Sequence, residues 1–241
     1  MHDWIHPVSS AYDKSFYQQG SHIAISSAAE IVPIVMQLVA PQSVVDVGCG
    51  TGEWLSVFRA AGIADILGVD GHWVPREALH IPESNFRCHD LCSVFLALER
   101  RFDLAVSLEV GEHLPADQAM RFVADLVALS PVILFSAALP FQGGVQHINE
   151  QWPDYWAKLF QSQRYICIDC IRSRVWLNDR VAFWYAQNCF VAVKEAALES
   201  YPSLEAEYAK WGNGVPALVH PLNYLVKVKE TMASKSVCQN R

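Results

Sequence analysis

The sequence predicts an α/β fold, a mostly parallel sheet with helices on both faces. Three observations predict it. Short, continuous apolar runs recur at Ser43–Val47, Ile66–Asp70, Phe102–Leu108 and Val132–Ser136, the kind that a parallel sheet buries on both sides. Helical stretches separate most of these runs, as crossovers between parallel strands require. Glycines at 48, 50 and 52 follow the first run, where a strand hands over to a helix and the backbone must turn sharply.

Residues 1–22 are aromatic and polar, with Tyr12, Phe16 and Tyr17, and read as a cap or lid. A helix is expected over 23–39, ended by Pro41. The strand at 43–47 leads to a helix near 53–61, the strand at 66–70 and a short third strand at 86–88. A helix over about 92–100 is expected next, then the strand at 102–108, a helix at 115–129 and the strand at 132–136. A helix near 150–162 precedes two β-rich stretches, 165–171 and 187–194, which can close the sheet as an antiparallel pair. The whole chain reads as one domain: an N-terminal lid and helix (1–40), a core (43–195) and a C-terminal extension (196–241). That extension is expected to be peripheral, with a polar end that frays from Ala233.

Composition narrows the function classes. The chain has 241 residues, 52% hydrophobic and 18% charged, which suits a folded domain with a full core. A formal charge of −7 gives no general attraction to nucleic acid, so a nucleic-acid partner is not expected. Arg164, Arg172, Arg174 and Arg180 cluster in sequence; a local RNA-binding face is one reading of them, and a solvated rim around the strands is the expected one. The first residues lack the layout of a signal peptide. The apolar stretch 23–40 is interrupted by Glu30 and Pro33, so no membrane span is expected. Seven cysteines without regular spacing suit reduced thiols and a cytoplasmic location. Cys167 and Cys170 sit three apart on an expected strand, facing opposite sides, and are read as packed thiols rather than half a metal site.

The most informative segment is Val45-Asp46-Val47-Gly48-Cys49-Gly50-Thr51-Gly52. Its glycines alternate and an acid precedes them, unlike a dinucleotide fingerprint, whose last glycine lies further on. The second strand ends in Asp70, placed to accept from ribose hydroxyls, and the third is followed by His89-Asp90-Leu91. In this order, at successive strand ends, these features resemble the class I methyltransferases that use S-adenosylmethionine (SAM). The resemblance covers about residues 43–140. It implies a Rossmann-like, mostly parallel seven-stranded sheet with an antiparallel edge pair. It also implies a SAM site formed by Asp46, Gly48, Cys49, Gly50, Gly52, Asp70, Gly71, Asp90, Leu91, Leu108 and Glu109.

A second cluster follows the fourth strand, Glu109-Val110-Gly111-Glu112-His113-Leu114-Pro115, and a third segment, Gln146-His147-Ile148-Asn149-Glu150-Gln151-Trp152-Pro153, follows the fifth. Both are expected at the carboxyl edge of the sheet, where open α/β sheets bind ligands. The Glu-x-x-Glu-His pattern with a distant His resembles two metal-dependent O-methyltransferase groups, those of ubiquinone biosynthesis and of small-RNA 2′-O-methylation. That resemblance implies Glu109, Glu112, His113 and His147 as ligands of Mg²⁺, Mn²⁺, Fe²⁺ or Zn²⁺. The segment around His147 departs from both groups' motifs.

Three readings of the cluster stay open: a divalent ion that activates a hydroxyl, a metal-free site with His147 or His113 as general base, and a structural role. Asn149 and Glu150 also suit the start of the next helix. Trp152, Tyr155 and Trp156 read as a packed helix face or as a platform for a flat ring or sugar. The expected function is O-methylation of a small-molecule hydroxyl, of sugar or natural-product type. The alternatives are metal-free N- or carboxyl-methylation, and a non-catalytic protein that binds SAM or its demethylated product S-adenosylhomocysteine (SAH).

Overall fold

The structure, a computed structural model, describes residues 14–92 and 96–239, with side chains over 20–92 and 96–233. Helix α1 (Lys14–Val39) precedes β1 (Ser43–Val47), α2 (Glu53–Ala60), β2 (Asp65–Asp70) and β3 (Phe86–Cys88). Then come β4 (Leu104–Leu108), α3 (Ala119–Leu129), β5 (Val132–Ser136), α4 (Pro153–Ser162) and β6 (Tyr165–Ile168). The chain continues through the short helices α5 (Arg172–Val175) and α6 (Phe183–Asn188), β7 (Phe190–Lys194), α7 (Pro202–Trp211) and α8 (Pro221–Gln239).

The seven strands lie in the order β3-β2-β1-β4-β5-β7-β6. All neighbours pair in parallel except β7, which runs antiparallel to both β5 and β6. The expected sheet, with its antiparallel edge pair, is therefore present. Alternate strand residues feed two separate cores. Val44, Leu104, Val106, Val132 and Leu134 join α1, α2, α6 and α7 on one face. Val45, Val47, Ala105, Ile133 and Phe135 join α3 and α4 on the other. Burial on both faces is why the strands read as unbroken apolar runs. The chain leaves β1 towards β2 and β3, then returns to place β4 on β1's other side. This reversal makes the β1–β4 crevice the natural place for a ligand.

Several expectations need correction. No helix forms over the described part of 92–100: residues 96–100 are irregular, and 93–95 lie outside the described residues. Leu96 instead plugs into the α3 side of the core, and its N–H donates to the buried Asp125. Helix α1 begins at Lys14 rather than 23, so part of the expected lid is helix; Tyr12 and the rest of residues 1–13 lie outside the described residues. Asn149 and Glu150 do not start a helix, because α4 begins at Pro153 with Trp152 at the cap position. The C-terminal extension is not merely peripheral, since Leu204, Val215, His220 and Asn223 are buried. Residues 233–239 continue α8 rather than fraying.

Residues Gly20–Val39 are long and apolar enough to cross a membrane by length and composition. Here Ala28, Ile31, Val32 and Val35 of that stretch are fully buried in the domain core.

The arginine cluster is not one solvated rim. Arg172 is 1% exposed, and its guanidinium grips both oxygens of Asp169 at 2.8 and 2.6 Å. It also donates to the carbonyls of Gln187 and Pro216, which ties β6 to α6 and to the segment before α8. Removing one member strands the other's charge inside the protein, at a cost of about 3–5 kcal/mol. Urea unfolding of Arg172→Ala should show a loss of that size. The Arg172→Met, Asp169→Leu double variant should recover most of it.

Candidate functional site

Two polar clusters lie along the carboxyl edge of the sheet. The first surrounds the glycine turn after β1. Gly48, Gly50 and Gly52 have φ of 82°, 55° and 87°, left-handed values that suit glycine. At Gly48 a Cβ would also stand 2.3 Å from a methyl of Val110, so the turn needs glycine twice over. The N–H groups of Gly48 and Cys49 both donate to the Val69 carbonyl, at 2.8 and 3.2 Å, which seats the turn on β2. Asp70 then closes it. One carboxylate oxygen accepts from Gly50 N–H at 2.8 Å, the other from its neighbour Gly71 N–H at 2.6 Å. Gly71 itself lies under the Trp73 ring, which leaves no room for a side chain there.

A cavity of about 210 Å³ opens at this turn, lined by Asp46, Gly48, Cys49, Gly50, Glu53 and Leu108, with Trp54, Trp184 and Tyr185 as aromatic walls. Gly20, Ser21 and Ala24 of α1 also line it, so the N-terminal helix does reach over the site. Ser21 Oγ lies 2.9 Å from His80 Nε2, joining α1 to the loop after β2. The charge pattern is one-sided. Burial raises the Asp46 carboxyl well above the usual range, and the negative Asp70 and Glu53 raise it further. Asp70 is also raised, chiefly by burial, with the Gly50 and Gly71 N–H groups pulling it back. Three crowded acids favour a cation as their guest.

Asp90 and Leu91, at the end of β3, are half-buried, and Asp90 accepts from Cys92 N–H at 2.9 Å. They do not line the cavity described above. Nor does Glu109, which has φ of 55° and turns away towards the amides of Gln142 and Asn188, at 2.9 and 3.0 Å.

The second cluster forms where a short 3₁₀ turn, Gly111–His113, meets the insert after β5. The main-chain carbonyl of Glu112 accepts from Ile148 and Asn149 N–H at 2.9 and 3.0 Å, which brings His147 against the turn. Ligand atoms of Glu112, His113 and His147 then lie within 4.8 Å of one another. The two imidazoles meet edge to face, with centroids 4.8 Å apart. Of the four sequence-predicted metal ligands, the structure brings these three together and leaves Glu109 on its amides. Burial, aided by the nearby Glu109 carboxyl, raises Glu112 well above its ordinary range. No hydrogen bond of good geometry reaches its buried oxygens, although the Ala138 N–H and the Glu109 carboxyl lie close enough to act on it. Burial and the neighbouring His147 lower His113 to about 4, so its ring is neutral at pH 7 and one of its two nitrogens carries a lone pair. A buried acid without a well-formed hydrogen bond beside a neutral imidazole is a donor set that suits a divalent cation.

Some functional residues were not visible in the sequence. Glu53, Trp54, Trp184 and Tyr185 line the cavity, but only Glu53 carried a signal, as the acid directly after the last glycine. Gln142 and Asn188 come together across 46 residues of chain, and no spacing announces that. The aromatic trio divides: Trp156 is core, packed on Gly111 and Phe135, whereas Trp152 is exposed beside the insert. Cys167 and Cys170 are both buried free thiols.

A glycine turn at the sheet's switch point, ringed by acids, defines a nucleoside-binding α/β domain with a preference for a positively charged ligand. The family model described as a methyltransferase domain matches residues 22–177, and the chain belongs to that family. Its fold is the one that class I SAM-dependent methyltransferases share.

Solved structures share the fold at low identity. An O-methyltransferase family protein from Burkholderia thailandensis is 12% identical, with a TM-score of 0.53 over 75% of this chain and 57% of its own. Human N-acetylserotonin methyltransferase in complex with SAM is 14% identical, with a TM-score of 0.52 over 74% and 55%. Magnesium protoporphyrin IX methyltransferase from Synechocystis PCC 6803 with bound SAH is 16% identical, with a TM-score of 0.53 over 76% and 89%. The chain thus spans little more than half the length of the first two. No curated protein matches its sequence.

The acid ring predicts a pH-dependent affinity for SAM. A bound cation favours ionised Asp46, while the empty cavity favours its protonated form. Affinity should therefore be full at high pH and fall as pH drops through the raised Asp46 value. SAM carries a sulfonium charge that SAH lacks, so its fall should be the steeper of the two. Calorimetric titrations with both compounds between pH 5 and 8 measure this.

Proposed function

We propose that this methyltransferase acts on an oxygen of a small-molecule hydroxyl and that Glu112, His113 and His147 hold a divalent ion beside the acceptor. The observation that carries the reading is the convergence of these three side chains around the buried oxygens of Glu112, which lack a well-formed hydrogen bond. An ion held there would act as a Lewis acid, lowering the pKa of the acceptor hydroxyl and fixing its oxygen.

The chain's own residues supply the rest. The glycine turn, Asp46 and Glu53 hold the methyl donor, with Leu108 at the end of β4 lining the same cavity and Asp70 clamping the turn from behind. The acceptor oxygen attacks the methyl carbon in line as the carbon–sulfur bond breaks, and the hydroxyl proton leaves to solvent or a basic side chain. Placement of the two reactants is the protein's main contribution, because the sulfonium is already a good leaving group.

The insert that carries His147 also exposes Phe141, Val145, Ile148 and Trp152, which supports an acceptor with an apolar ring face, a sugar or a planar natural product. A metal-free reaction with His147 as general base is the second reading. It is favoured by the 2.9 Å contact between His147 Nδ1 and Glu150 Oε1, since a base needs an orienting partner of this kind.

Metal titration separates the two. Mn²⁺ or Mg²⁺ should raise the melting temperature of the EDTA-treated protein. The rise should be larger at pH 8 than at pH 6, because the Glu112 carboxyl, raised by burial, must lose its proton to bind. Glu112→Gln and His147→Ala should abolish that rise, and methyl transfer should require the ion. A flat melting temperature, with activity that survives EDTA but not His147→Ala, would select the metal-free base.

A further inference from the structure

The insert between β5 and α4 carries a carboxylate, Glu150, that only the second reading above draws on, and there only through its contact with His147. Glu150 is largely buried, with its side chain 18% exposed, and both its oxygens are engaged. Oε2 accepts from Phe141 N–H at 2.6 Å, and Oε1 accepts from Gly143 N–H at 2.8 Å. The same Oε1 lies 2.9 Å from His147 Nδ1. A carboxylate that already receives two backbone donors serves as an acceptor, so the ring nitrogen must be the donor. The proton then sits on Nδ1, and the lone pair sits on Nε2.

The rest of the ring's surroundings agree. The Nε2 end of the imidazole packs against Gly144, where a Cβ would come within 2.2 Å of Nε2 and the φ of 157° also suits glycine. With Nδ1 committed to Glu150, Nε2 is the nitrogen left for the cluster with Glu112 and His113.

We propose that Glu150 is the positioning residue of this site. It fixes His147 as the Nδ1–H tautomer, so that Nε2 offers its lone pair to the reaction centre. Its two backbone contacts also clamp the turn at residues 141–143, so one side chain sets both the loop's path and the imidazole's orientation. The inference rests on His147 having a role in the proposed reaction, but it is the same whether Nε2 binds an ion or takes a proton. Free imidazole side chains exchange between tautomers, whereas a ring held by a carboxylate does not, which is why partners of this kind change the affinity or activity of the sites they support by about 10–100-fold.

The test reads the tautomer directly. The full chain, metal-free and with ¹⁵N-labelled histidine, is examined by long-range ¹H–¹⁵N correlation at pH 8, and the His147 signals are assigned by their loss in His147→Asn. The expected wild-type result is a protonated Nδ1 and an unprotonated Nε2. Glu150→Leu removes the acceptor at similar volume and should move the proton towards Nε2, with kcat falling by about 10–100-fold and the KM for SAM unchanged. Glu150→Gln keeps an oxygen facing Nδ1 and should retain the tautomer and much of the rate, with a lower melting temperature because it cannot serve all three donors. A wild-type ring protonated on Nε2, or a folded Glu150→Leu protein that keeps the Nδ1–H tautomer, would overturn the proposal. Because the spectrum needs neither acceptor nor ion, a failure of the proposed reaction would show separately, as absent methyl transfer from a protein with the expected tautomer.

Discussion

Asp70 is the constraint on which the remainder of the site depends. Its two oxygens hold Gly50 from the first crossover and Gly71 from the second, tying the ends of β1 and β2 together. That clamp fixes the left-handed glycine turn, and the turn in turn leaves the cavity at the β1–β4 crevice. It also sets the local electrostatics. A carboxylate buried for structural reasons stands beside Asp46 and Glu53, so the cavity is short of positive charge. A sulfonium nucleoside would supply it. The negative site is then a recognition device and a folding cost at once, since crowded acids are tolerated only while some stay protonated or a cation arrives.

The second cluster shows the same economy by another route. Glu112 uses its main-chain carbonyl to anchor the insert and its side chain to face the imidazoles. The loop that delivers His147 is therefore fastened to the residue that His147 must meet. The strained φ of Glu109 just upstream directs that side chain into an amide network with Gln142 and Asn188. Gln187 extends this network to His220 and Asn223, so the C-terminal segment is coupled to the base of the site.

What the sequence disclosed follows from how local each feature is. The strands, the glycine turn and Asp70 were legible because burial on two faces and a left-handed backbone leave marks on adjacent residues. The Glu112–His113 and His147 segments were legible as chemistry because their residue types are unusual together. The division of labour between Glu109 and the trio was not, because it depends on Asn188, 79 residues away. Helix α1 was underestimated since Gly20 and Ser21 weaken its start, and only tertiary packing recovers it. The helix expected over about 92–100 does not form in its described part, because Leu96 packs into the core beside α3 and its N–H goes to Asp125, a partner that no local spacing reveals.

The central claim is that an Asp70-clamped glycine turn binds SAM. It is tested most directly by calorimetric titration of SAM into the folded wild-type chain and into Asp70→Ala, with circular dichroism confirming that both keep the fold. Loss of hydrogen bonds to a charged group is worth about 1.5–3 kcal/mol each. The wild type should therefore bind, and the variant should bind at least about tenfold more weakly. A folded wild type that gives no binding heat, or a variant that binds SAM as tightly as the wild type, would contradict the account.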